Sequence, residues 1–183
     1  MRIISGNHKG RRLRAPKKLP ARPTTDMAKE ALFNILSNRF DFDTLKVLDL
    51  FSGTGNISYE FCSRGTTSIQ AIEKDRRCIK FIQETSKLLE MPIEAVNSDA
   101  FTYLEETIQK YDLIFADPPY ALDQANFSKL VQTIFERKLI KANGICIIEH
   151  SKHTNLSFIE NFIELKTYGG NCFSFFEYKK ADL

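Results

Sequence analysis

A doubly wound α/β fold is what this sequence predicts: a seven-stranded, mostly parallel sheet with an antiparallel terminal strand and helices on both faces. Three observations lead there. Short apolar runs alternate with stretches of helical spacing, which implies right-handed βαβ crossovers and a parallel sheet covered on both sides. The first apolar run ends in a glycine-containing turn, the usual entry from a strand into a helix. The chain closes on two strand-like runs separated by Gly169-Gly170-Asn171, a hairpin that a purely parallel sheet would lack.

In chain order, Thr24-Thr25-Asp26 supplies hydroxyl and carboxylate caps for a helix over 27–36, where Ala28, Ala31, Leu32, Ile35 and Leu36 recur at helical spacing. The run 46–50 is the first strand. Phe51-Ser-Gly-Thr-Gly-Asn56 is the tight loop after it, with a helix beyond. Strands are expected over 68–73 and 93–97, with a helix over 76–89 between them. A fourth strand, 111–116, stops at Asp117-Pro-Pro-Tyr120. A helix over about 126–136 precedes the fifth strand, 144–149, and the hairpin takes 162–168 and 172–178.

The 183 residues, 43% hydrophobic and 27% charged, suit one globular domain able to bury roughly 70% of its unfolded surface without staples. A disordered or disulfide-built chain is excluded. No run of about 18 apolar residues exists to span a bilayer, and the N-terminus lacks the apolar core of a secretory signal, so a soluble cytoplasmic protein without membrane contact is expected. Cys62, Cys78, Cys146 and Cys172 form no Cys-x-x-Cys pair, and His8, His150 and His153 lack nearby ligand partners, so no metal is expected.

The charge is unevenly placed. Arg2, Lys9, Arg11, Arg12, Arg14, Lys17, Lys18 and Arg22 stand in the first 22 residues with no acid among them, while the rest of the chain is net negative. Spaced by Gly6, Gly10, Pro16, Pro20 and Pro23, this basic arm suits phosphate contacts from an extended, groove-following segment. A solvated tail or an organellar targeting peptide are the competing readings, against which the arm is poor in serine and has no amphipathic period.

Chemistry concentrates at the ends of the strands. Gly53 and Gly55 let a ligand sit against the backbone after the first strand. Ser58 stands where a dinucleotide fingerprint would want Gly or Ala, so a nicotinamide dinucleotide is only partly matched. Asp49, Glu73 and Asp99 lie at consecutive strand ends, where they frame a nucleoside; Glu73 is placed for ribose hydroxyls and Asp99 for the adenine amine. Each alone reads more readily as a helix cap or a solvated loop residue, and it is their consecutive placement that reverses this. No phosphate-binding Gly-x-x-x-x-Gly-Lys loop is present, which favours a phosphate-poor cofactor. In Asp117-Pro118-Pro119-Tyr120 two prolines fix φ and remove two donors, leaving carbonyls and the Asp117 carboxylate as acceptors for an exocyclic amine, with Tyr120 as a stacking face.

At these residues the chain resembles class I S-adenosylmethionine methyltransferases, whose amino-methylating members carry Asp-Pro-Pro-Tyr. It is most similar to the RsmD family of 16S rRNA guanine-N2-methyltransferases. The likeness runs from Met1-Arg-Ile-Ile-Ser-Gly6 and Gly10-Arg-Arg-Leu13 through Arg22-Pro-Thr-Thr-Asp26 and Glu30-Ala-Leu-Phe-Asn34. It continues through Asp49-Leu-Phe-Ser-Gly-Thr-Gly55 and Asp117-Pro-Pro-Tyr120 to Tyr168-Gly-Gly170 and Phe173-Ser-Phe-Phe176. Met27 and Lys29 depart from it, standing where the family has arginine, which puts a phosphate or cofactor contact there in question.

The resemblance implies a Rossmann-like methyltransferase domain over 24–183 behind an RNA-binding arm over 1–23. It implies S-adenosyl-L-methionine held by Asp49, Phe51, Ser52, Gly53, Gly55, Glu73, Lys74, Asp99, Ala100 and Asp117, with Phe101 a further candidate beside the adenine. Asp117, Pro118 and Tyr120 would carry catalysis. Arg11, Arg12, Arg14, Arg22, Thr24, Thr25, Pro119 and Tyr120 would meet 16S rRNA in the small ribosomal subunit, and the chain is expected to act as a monomer. Another nucleic-acid amino-methyltransferase, on adenine N6 or a different guanine, a protein-glutamine methyltransferase, and a silent RNA-binding assembly protein are the alternatives.

Overall fold

A computed structural model describes residues 1–16, 19, 24–119 and 121–179. Seven strands form one sheet: β1 (Lys46–Leu50), β2 (Ser68–Glu73), β3 (Ile93–Asn97), β4 (Tyr111–Ala116), β5 (Ile140–Ser151), β6 (Phe162–Tyr168) and β7 (Asn171–Phe176). Their spatial order is β3-β2-β1-β4-β5-β7-β6. The β1–β2, β2–β3, β1–β4 and β4–β5 pairs are parallel, whereas β7 pairs antiparallel with both β5 and β6. The order reverses at β1 and β4, so a crevice opens where their C-terminal ends part.

Helices α1 (Asp26–Ser37), α2 (Asn56–Ser63), α3 (Arg76–Leu88), α4 (Ala100–Glu106) and α5 (Gln124–Glu136) cover the sheet. Alternate side chains on each strand point to opposite faces. Leu48, Ile114, Cys146 and Ile148 therefore pack under α4 and α5 with Leu104, Phe127, Leu130 and Ile134. Val47, Leu113, Ile145 and Ile147 pack on the other face with Leu32, Phe33, Leu36 and Phe61 of α1 and α2.

Two strands start earlier than expected, for physical reasons, and their ends move too, β5 running to Ser151 and β7 stopping at Phe176. β5 starts four residues before Gly144, because Ile140 already pairs with Tyr111 and the register then slips in a bulge before Leu113. Gly144 sits there against the Asp112 carbonyl, 2.8 Å from where a Cβ would be. Asn171 belongs to β7 rather than the turn, held in the strand by its side-chain bond to Glu149 of β5. Helix α4, not expected from the sequence, is capped by Asp99, whose carboxylate accepts from the Phe101 and Thr102 amides.

The larger difference is at the N-terminus. Residues 1–14 fold back as an antiparallel turn in which the Ile3 amide donates to the Arg11 carbonyl at 3.0 Å and the Leu13 amide to Met1 at 3.0 Å. Ile3 is buried with Tyr59, Leu89 and Met91. Gly6, at φ +81°, approaches α2 so closely that a Cβ would lie 1.7 Å from the Ser63 carbonyl oxygen. Apolar Met1, Ile3 and Leu13 give this basic segment a buried face, so its cations ride on a packed element instead of an extended strand of chain.

Candidate functional site: a cavity at the switch point of the sheet

The crevice at the ends of β1 and β4 is a cavity of about 860 Å³. The first wall is the turn after β1. Phe51 takes a left-handed backbone at φ +57°, an unusual conformation for a bulky residue, and the turn is held by the Ser52 amide on the Ile72 carbonyl at 3.0 Å. Gly53 follows, its amide donating to Glu73 Oε2 at 3.0 Å. Gly55 adopts φ +84° at the cap of α2, with Tyr59 and Ile82 only 3.0–3.1 Å from where a Cβ would sit. It shapes the turn and the packing of α2, and it does not line the cavity.

Glu73 ends β2 with both oxygens engaged, by Gly53 and by the Asp75 amide at 2.8 Å. A carboxylate offers about four lone-pair directions, so these bonds orient it and leave acceptor capacity for a hydroxyl. The loop after it is tied across β3 by Asn97, whose Nδ2 donates to the carbonyls of Glu73 and Lys74. Asp99 is oriented likewise by capping α4. Asp49, Phe51, Ser52, Gly53, Glu73, Lys74, Asp99, Ala100 and Asp117 all line the one cavity. Phe101 does not line it but meets Phe51 edge-on, ring centroids 6.2 Å apart.

Asp49 is the electrostatic exception. It is 1% exposed and accepts from Ser58 twice, from Oγ at 2.5 Å and from the backbone amide. Burial, partly offset by that hydroxyl and reinforced by nearby Glu73, pushes its carboxyl up to about 7. A cationic ligand group arriving in the cavity would favour its charged form.

Across the crevice, Asp117 continues from β4 with its amide on the Leu50 carbonyl at 3.4 Å. Pro118 and Pro119 line the cavity with it. The Pro119 carbonyl accepts from the Leu122 amide at 2.8 Å, so of the two proline carbonyls this one serves the turn. Arg14 and Thr24 also line the cavity. Thr24 Oγ1 donates at 2.8 Å to buried Glu149. Thr25 caps α1, accepting from the Ala28 amide at 3.2 Å. Arg11 and Arg12 are exposed on the N-terminal turn and do not line the cavity. Arg22 and Tyr120 lie outside the described residues.

Several lining residues were not expected: Met1, Leu13 and Ala15 from the N-terminal turn, with Thr54, Asn56 and Ile57 around the start of α2. Lys29, which stands where the resembled family has arginine and so put a phosphate or cofactor contact in question, is fully buried. Its Nζ donates to the Arg2 carbonyl at 2.7 Å and Asn56 Oδ1 at 2.8 Å, and pairs with Glu60 Oε2 at 3.4 Å. Burial lowers the pKa of this amine and Glu60 counters the shift. The signal was in the spacing: Lys29, Leu32, Phe33 and Leu36 share the buried face of α1. Met27 is 61% exposed.

Among the described residues, no group of three or more His, Cys, Asp or Glu is placed to hold a metal ion. No helix there is long and apolar enough to cross a membrane. His150 is buried, with Nε2 2.8 Å from Ser174 Oγ, and desolvation lowers its pKa.

The model of a family described as Conserved hypothetical protein 95 matches residues 1–177. The chain is 33% identical to the putative rRNA methyltransferase YlbH of Bacillus subtilis, over 85% of each protein. It is 32% identical to the ribosomal RNA small subunit methyltransferase D of Buchnera aphidicola, over 87% of this chain and 83% of that one. Among solved structures it superposes on a putative methyltransferase of Escherichia coli with a TM-score of 0.83 at 25% identity, covering 98% of this chain and 99% of the other.

Proposed function

Because the chain belongs to the Conserved hypothetical protein 95 family, the RsmD family its motifs resemble, we propose that it methylates the exocyclic N2 amine of a guanine in 16S rRNA. The methyl donor is S-adenosylmethionine and the substrate is the small ribosomal subunit, which puts the reaction in the cytoplasm. One observation carries the reading: Asp117-Pro118-Pro119 and the carboxylates Asp49, Glu73 and Asp99 open into one cavity at the switch point of the sheet. The names of the Bacillus and Buchnera relatives support an rRNA substrate.

The residues fit that donor. Glu73 and Asp99 sit at neighbouring strand ends with acceptor capacity for a ribose and an adenine amine. Asp49, buried with only Ser58 among the described residues as its hydrogen-bond donor, lacks the cation that an amino acid's ammonium would bring. When bound, S-adenosylmethionine supplies an electrophilic sulfonium methyl group. Asp117 and the Pro118 carbonyl accept the N–H bonds of the target amine, which draws its lone pair out of conjugation and offsets the positive charge developing on nitrogen. In this reading Asp117 takes the released proton. Orientation provides the rest, since well-placed pairs reach effective molarities on the order of 10⁵–10⁸ M. Exposed Arg11, Arg12 and Arg14 hold RNA phosphates, and recognition rests on RNA shape, there being no separate recognition domain among the described residues.

The test is methyl transfer from labelled S-adenosylmethionine to small subunits from cells lacking the gene, with nucleoside analysis of the RNA. A single N2-methylguanosine is expected, and the Asp117→Ala chain should be slower by about 10²–10³-fold with cofactor affinity little changed. Label in DNA, in protein or on adenine would replace the target. Cofactor binding without transfer to any subunit preparation would favour a silent assembly protein.

A further inference from the structure

Lys29 bears on the cavity without touching it. Its ammonium donates to Asn56 Oδ1 at 2.8 Å, to the Arg2 carbonyl at 2.7 Å, and pairs with Glu60 at 3.4 Å. An ammonium has only donors, so the atom that Asn56 turns toward it must be the amide oxygen. That leaves Nδ2 on the other side of the amide. Asn56 opens α2 and lines the cavity beside Gly53 and Thr54. Among the described residues Nδ2 makes no hydrogen bond, while Asp49, which lines the same cavity, presents a buried acceptor.

One cavity therefore offers both halves of what a free amino acid group needs: Asp49 for the ammonium and a donor for the carboxylate. We propose that Lys29 is a positioning residue that locks the Asn56 amide so that Nδ2 donates to the carboxylate of the cofactor's amino-acid end. The inference rests on the S-adenosylmethionine reading above. The same ammonium holds the Arg2 carbonyl, and Glu60 accepts from the Ile4 and Ser5 amides at 2.8 and 3.0 Å. The N-terminal turn that walls the cavity with Met1, Leu13 and Arg14 is thereby set against the same amide. A buried ion pair is weak support for stability, since apolar residues of similar volume often serve as well. Orienting a polar group is a task that apolar residues cannot do.

Calorimetric titration with S-adenosylhomocysteine and with 5′-methylthioadenosine, which lacks the amino-acid carboxylate, separates the roles. Asn56→Asp keeps an oxygen for Lys29 and replaces the donor with a second, charged acceptor. Its affinity for S-adenosylhomocysteine should fall by about tenfold or more, with methylthioadenosine binding within about twofold of wild type. Lys29→Met should show the same split, and Lys29→Arg should restore it. Unchanged S-adenosylhomocysteine binding by Asn56→Asp, or an equal loss of both ligands, overturns the inference. Should Lys29→Met fail to fold, Asn56→Asp decides alone, because it leaves the Lys29–Glu60 pair in place. A wild-type chain that binds neither ligand would instead remove the cofactor reading.

Discussion

Two buried carboxylates flank the loop between β1 and α2, and they are treated in opposite ways. Glu60, fully buried on α2, is met by Lys29, by Arg64 Nε at 2.8 Å and by the Ile4 and Ser5 amides. Asp49, just as buried on β1, has the hydroxyl and backbone amide of one residue, Ser58, no cation among the described residues, and the charge of Glu73 nearby. Burial of a charge is tolerable when donors replace water. Glu60 is saturated by protein and so belongs to the scaffold. Asp49 is short of donors and so has capacity for a ligand. What separates the two carboxylates is the set of protein donors around them, not their depth.

That contrast can be broken at several points. The largest effect should be Glu60→Ala, which strands the Lys29 ammonium and frees the N-terminal turn. Unfolding should show a loss of about 3–5 kcal/mol, on the order of 10 °C in Tm. Asp49→Asn should do the reverse: Tm should stay within about 3 °C, while affinity for S-adenosylhomocysteine drops by about tenfold or more. If Glu60→Ala instead folds normally and loses only cofactor, the distinction collapses.

The pH dependence sharpens it further. Asp49's folded pKa, about 7, lies above the ordinary 3.8, so the folded state binds the extra proton. The stability this group contributes is fully present below that ordinary value and is lost as pH rises through about 7. The ligand-free chain should therefore melt lower near pH 8 than near pH 5.5 by an amount that Asp49→Asn removes. Binding of a ligand ammonium favours the charged form, so S-adenosylhomocysteine affinity should rise with pH up to about 7, by at most about tenfold per unit, and stay flatter in the variant. The smallest effect on the fold is expected at the cations of the N-terminal turn. Replacing Arg11 and Arg12 with Ala should leave Tm and cofactor binding unchanged while lowering the salt slope of RNA binding by about 2. An unchanged slope would remove those two side chains from the RNA contact.

Much of the fold was legible because it is written locally. The strands at 46–50, 68–73, 93–97, 111–116 and 162–168 run where their apolar patterns and flanking turns put them. The reversed final strand followed from Gly169-Gly170, and Gly169 does take a left-handed φ of +61°. Short α4 was missed because its seven residues show too little periodicity and its cap, Asp99, reads equally as a ligand. In the structure Asp99 caps α4 and also lines the cavity.

The site was legible where chemistry follows from position along a strand. Asp49, Glu73, Asp99 and Asp117 each end or follow a parallel strand, and parallel strands necessarily bring such residues to one edge. Sequence by itself thus determined the sheet, its reversed end and the carboxylates that share its crevice, because period-two burial and glycine or proline backbone limits act between near neighbours. Only the tertiary structure decided which buried charges are satisfied. Glu60 meets an amide 56 residues away at Ile4, and Lys29 meets the Arg2 carbonyl 27 residues away. It also turned a basic arm into a wall of the cavity. Such pairings depend on how elements distant in sequence pack together and exclude water, and no local pattern records that.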